Sequence, residues 1–85
     1  MSYEVEFTSA AAKQIRKLQR PARERLLDAI EDLQDDPRRH GAKKLVGEDL
    51  AWRIRVGDYR VLYEVIDSQL LVTVVRAAHR REVCR

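Results

Sequence analysis

The chain has 85 residues, enough for one domain spanning residues 1–85 around a single thin hydrophobic core. It is 45% apolar and 36% charged, which excludes a disordered chain, and no apolar run nears the ~18 residues of a membrane-crossing helix. The net charge of +3 is uneven: residues 1–37 carry six Lys/Arg against eight Asp/Glu, residues 38–85 eleven against six.

The start, Met1-Ser2-Tyr3-Glu4, has neither the basic stretch nor the apolar stretch of a signal peptide. Tyr3, Val5 and Phe7 then alternate with Glu4 and Glu6, the period of a half-buried strand. Thr8 or Ser9 is placed to cap a helix whose apolar side is Ala11, Ile15 and Leu18. Pro21 suits the first turn of a second helix with the stripe Leu26, Leu27, Ile30 and Leu33. That helix is expected to end near Asp35-Asp36-Pro37, because the residue before proline avoids helical geometry. So short a break between the two helices predicts an antiparallel hairpin.

A polar stretch, Arg38 to Asp49, separates this half from a segment of period two. Leu50, Trp52, Ile54 and Val56 are expected on one face, and Ala51, Arg53 and Arg55 on the other. Gly57-Asp58 has the chemistry of a two-residue type II′ turn. Tyr59 to Ile66 forms the next strand, and Leu70 to Ala78 a last one, apolar enough to be expected inside the sheet with both faces covered. The order β-α-α-β-β-β describes an α+β domain: an N-terminal strand, a helical hairpin, then a three-stranded antiparallel meander.

A two-residue turn at 57–58 sets Arg55 directly opposite Arg60 and Arg53 opposite Leu62, all on one face. Like charges across a strand pair are unfavourable by up to ~1 kcal/mol, so an anion between the two guanidiniums is expected, and a nucleic-acid phosphate fits. The alternative is a solvated face on which both side chains splay into water, with Glu64 partly neutralising them. His79 and Arg80 are expected at the same end of the sheet, with Lys43 and Lys44 reaching the same rim. Such a patch would track a phosphate backbone with salt-sensitive affinity. If it performs chemistry, arginines suit stabilisation of a charged phosphorane but not the role of base, for which His79 is the candidate and Glu82 a weaker one. Cys84, the sole cysteine, can close no internal disulfide, which points to a reducing cytoplasm. Neither cofactor nor metal is expected: His40, His79 and Cys84 lack ligand-like spacing, and Gly41, Gly47 and Gly57 form no phosphate loop.

The segments Leu45-Val46-Gly47, Trp52-Arg53-Ile54-Arg55-Val56-Gly57-Asp58-Tyr59-Arg60-Val61-Leu62-Tyr63 and His79-Arg80-Arg81-Glu82-Val83 resemble the RelE/ParE superfamily of toxins, over nearly the whole chain. The resemblance implies the toxin half of a type II toxin–antitoxin pair. In the RelE branch this means an endoribonuclease that cuts translated mRNA on the ribosome by attack of a 2′-hydroxyl on the adjacent phosphate. It implies site roles for Arg53, Arg55, Arg60, Arg80 and His79, a basic contact at Lys44 and a cognate antitoxin as partner, and the basic patch adds Lys43 and Arg81 as RNA contacts. Cys84 stands where such nucleases carry a tyrosine. Two other readings share the residues: a ParE-like inhibitor of DNA gyrase and a non-catalytic RNA-binding module.

Overall fold

A computed structural model of the chain describes residues 2–79. In chain order the elements are β1 (Glu4–Phe7), α1 (Ser9–Arg16), α2 (Arg20–Asp32), β2 (Lys43–Lys44), β3 (Ala51–Val56), β4 (Tyr59–Ile66) and β5 (Leu71–His79), with a 3-10 turn, Asp67–Gln69, before β5. The strands form one sheet in the order β1-β5-β4-β3-β2. From β2 to β5 the neighbours are antiparallel, and β1 lies parallel to β5 on its far side. This is the expected α+β arrangement with one strand more. By sequence Lys43–Lys44 belongs to a polar connection, but it pairs with Arg53 and Trp52 as a fifth strand. Two adjacent lysines are too short a run to show a period of two.

Both helices pack on one face of the sheet, and the core lies between the layers. Thr8 caps α1, its hydroxyl oxygen accepting the Ala11 N–H at 3.1 Å. Ala11 and Ile15 are buried below it. In α2, Pro21 sits in the first turn, and Leu26, Ala29, Ile30 and Leu33 face the core. Leu27 does not: it is 41% exposed, because a residue one step past Leu26 is turned about 100° off the stripe that i, i+3, i+4 and i+7 define. The helix stops at Asp32, short of Asp35-Asp36-Pro37.

The hairpin of β3 and β4 has the expected register, with Val56 opposite Tyr59, Arg55 opposite Arg60 and Arg53 opposite Leu62. Gly57 has φ +60°, while Asp58 does not share its positive φ, which is the type II′ pattern. Leu50 lies outside β3 and is exposed.

β5 is interior to the sheet but is covered by the helices on one face only. Val72, Val74 and Ala77 are buried on that face; on the other, Arg76 is exposed while Ala78 is buried. The register explains why Arg76 and not its neighbour is outside. Tyr63 pairs with Val74 but Leu62 with Arg76, so Val75 is an extra residue in a β-bulge. Before the bulge even-numbered residues face the helices; after it Ala77 and His79 do. Where β1 ends, α1 takes over the edge of β5. Thr8 donates from its N–H to the Val74 carbonyl (3.0 Å) and from its hydroxyl to that of Val75 (3.2 Å). The Ala77 N–H donates to Gln14 Oε1 at 2.9 Å.

Two further anchors hold the α2–β2 connection. Tyr63 is fully buried and donates to the Pro37 carbonyl at 2.6 Å, and burial pushes its phenol up to about 12. Arg38 forks onto Asp67 at 2.7 and 3.2 Å, with its guanidinium over the Trp52 ring, and Tyr3 donates to the same carboxylate at 2.6 Å. The bonds from Arg38, and then from Tyr3, hold the Asp67 carboxyl below its ordinary range.

Candidate nucleic-acid interface

Strand alternation divides the charged residues between the two faces. In β3 Trp52, Ile54 and Val56 turn towards the helices, and Arg53 and Arg55 lie on the open face. In β4 Tyr59, Val61, Tyr63 and Val65 turn inward, leaving Arg60, Leu62, Glu64 and Ile66 on the open face. β2 adds Lys43, which pairs with Arg53 and shares its face. Lys44 pairs with Trp52 and so belongs to the other face.

These placements create a cavity of about 180 Å³ lined by Gly41, Lys43, Arg53, Ile54, Arg55 and Arg60. Four of the cations picked from the sequence thus meet at one depression, delivered by three strands. The ion pairs Arg20–Glu24, Arg38–Asp67 and Arg39–Asp32 lie elsewhere, and among the described residues no carboxylate is within ion-pair distance of the four. Glu64 shares their face without pairing with them; its register partners are Ala51 and Thr73. Four cations line one concavity, three of them planar guanidiniums with forked donors, a geometry that matches the acceptors of an oxyanion such as a phosphate diester. Among the described residues there is no group of three His, Cys, Asp or Glu that could hold a metal ion.

His79 is not part of this cluster. It pairs with Tyr59, and the two rings meet edge to face at 5.4 Å and 81°. Tyr59 packs against the core, so the imidazole sits on the helix side while Arg55 and Arg60 occupy the other. Strict alternation along β5 would have put His79 with the arginines; the bulge at Val75 reverses it. The same reversal brings out a residue the sequence reading passed over. Arg76, within a strand taken as wholly interior, emerges on the open face beside Leu62. Arg80, Arg81, Glu82 and Cys84 lie outside the described residues.

Residues 5–84 match the family described as the ParE toxin of the type II toxin–antitoxin system parDE. The mRNA interferase toxin RelE of Escherichia coli is 33% identical over 82 residues, covering 94% of this chain and 85% of that protein. A mutant E. coli RelE toxin in the free state superposes with a TM-score of 0.84 at 29% identity, covering 98% of this chain and 88% of the other. The toxin in the intact E. coli RelBE toxin–antitoxin complex superposes with a TM-score of 0.82 at 30% identity, covering 92% and 96%.

Proposed function

The chain belongs to the RelE/ParE toxin superfamily, and from that membership we propose a type II toxin that acts as an mRNA interferase, an endoribonuclease restrained by a cognate antitoxin. The observation that carries the reading is the convergence of Lys43, Arg53, Arg55 and Arg60 on one cavity of the open sheet face. In the proposed reaction the 2′-oxygen of a nucleotide bonds to the adjacent phosphorus and the P–O5′ bond breaks. A 2′,3′-cyclic phosphate and a 5′-hydroxyl result, the proton lost at the 2′-oxygen being balanced by one gained at the 5′-oxygen. Arg53, Arg55 and Arg60 hold the phosphate and stabilise the charge that grows on the phosphorane, where preorganised cations act most strongly. They do not take the 2′ proton, since guanidinium stays protonated in proteins. Such a site grips a phosphate better than it starts a reaction, which favours action on translated mRNA, where the ribosome orients the nucleophile.

The test is brief induction in a bacterium followed by mapping of mRNA 5′ ends across translated genes. New ends inside reading frames are expected. They should be lost when translation is blocked and fall about 10²–10³-fold with Arg60→Ala, the scale of removing one transition-state donor. Growth arrest with intact mRNA would move the function to the ParE-like inhibition of gyrase.

A further inference from the structure

Beyond the cavity, the open face holds a band of charge that the β5 bulge completes. Lys43, Arg53, Leu62 and Arg76 are successive register partners across β2, β3, β4 and β5. They form one row at right angles to the strands. The row beside it, towards the hairpin turn, is Arg55, Arg60 and Ala78. The row on the other side is Ala51, Glu64, Thr73 and Glu6, reaching β1. Cations therefore fill a band two rows deep, and carboxylates bound it on the side away from the turn. At a strand spacing of about 4.8 Å, Arg53 and Arg76 stand roughly 10 Å apart, with only Leu62 between them.

We infer that Arg76 is a phosphate-binding residue that carries a single-stranded RNA across the sheet, from the cavity over Leu62 towards β5. This rests on the reading of the cavity as an RNA site. The direction of the strand follows from the charges. A backbone running along β4 would pass from Arg60 to Glu64 within four residues and meet a carboxylate. One running along the row leaves Arg53 and reaches Arg76 without meeting one among the described residues. Leu62 offers an apolar surface between the two guanidiniums, suited to the face of a base whose phosphates lie on either side. The bulge is the device that makes this possible. With strict alternation Arg76 would share the helix-facing side of Val72 and Val74, and the band would end at β4.

The inference is tested by fluorescence anisotropy with the full chain and two probes, a labelled single-stranded RNA of about ten nucleotides and a labelled dinucleotide, at several salt concentrations. Arg76→Gln should weaken binding of the longer RNA roughly threefold to tenfold at low salt, and lower the slope of log K against log salt by about 0.7, one phosphate contact on a single strand. It should leave the dinucleotide, which fills only the cavity, bound as before. Arg76→Lys, which keeps the charge on a similar stem, should restore most of the loss. Unchanged binding of the longer RNA by Arg76→Gln, while Arg60→Ala loses it, would overturn the role of Arg76 and leave the cavity standing. Equal weakening of both probes by Arg76→Gln would also overturn it, because the change would then act at the cavity or on the fold. Longer RNA bound normally by both Arg60→Ala and Arg76→Gln would remove the RNA reading itself.

Discussion

Arg55 and Arg60 face each other across a hairpin and, among the described residues, neither has a carboxylate partner. Opposed like charges in a strand pair weaken it by a few tenths to ~1 kcal/mol, so the pair is a liability to the fold and an asset to an anion site. Removing one member should relieve repulsion without opening the core, since Arg60 lies on the face away from the helices. Arg60→Ala is therefore expected to leave the denaturation free energy within about 0.5 kcal/mol of the parent, or raise it. Urea unfolding of the two proteins checks this, and a loss well above 1 kcal/mol would show Arg60 to be a structural residue. This part of the site was legible before the structure, because Gly57-Asp58 permits only one tight turn and that turn sets the register of every residue behind it. Lys43 was legible as a nearby cation, but its separation from Lys44 was not. The difference arises from pairing with β3, which puts adjacent lysines on opposite faces.

At the level of elements, the feature hidden from the sequence is the bulge in β5. Nothing in Leu-Val-Thr-Val-Val-Arg-Ala-Ala-His marks Val75 as the extra residue, and a period-two reading places Arg76 inside and His79 outside. What holds the bulge is remote in sequence: Thr8 and Gln14 of the first helical segment bond to Val75 and Ala77. Local periodicity cannot register a bond between residues 63 positions apart. Gln14→Ala would leave the part-buried Ala77 N–H without its acceptor, costing about 1–2 kcal/mol, whereas Gln14→Glu keeps an oxygen in place and should cost less. Urea denaturation measures the loss, and amide hydrogen exchange should quicken at Ala77 in the alanine variant. If exchange at Ala77 stays as slow as in the parent, α1 does not hold the bulge. The helices themselves were readable from their stripes, with Leu27 the exception that a strict 100° rotation accounts for.

Over the whole molecule, Asp67 and Tyr63 tie stability to pH from opposite ends of the scale. Asp67, bonded by Arg38 and Tyr3 and lying where β4 passes into β5, has its carboxyl held low. Its contribution is present above the ordinary carboxylate pKa and is lost as pH falls through the lowered value, so stability should decline only below about pH 4. Tyr63 works in the opposite sense. Its phenol is pushed up to about 12, so the folded state keeps a proton that the unfolded state loses. Stability should fall as pH rises from about 10 through that value, by about 1.4 kcal/mol per unit. Urea unfolding of the parent and of Tyr63→Phe across that range measures the alkaline fall, which the variant should lack. An alkaline fall as steep in Tyr63→Phe as in the parent would assign it to other groups.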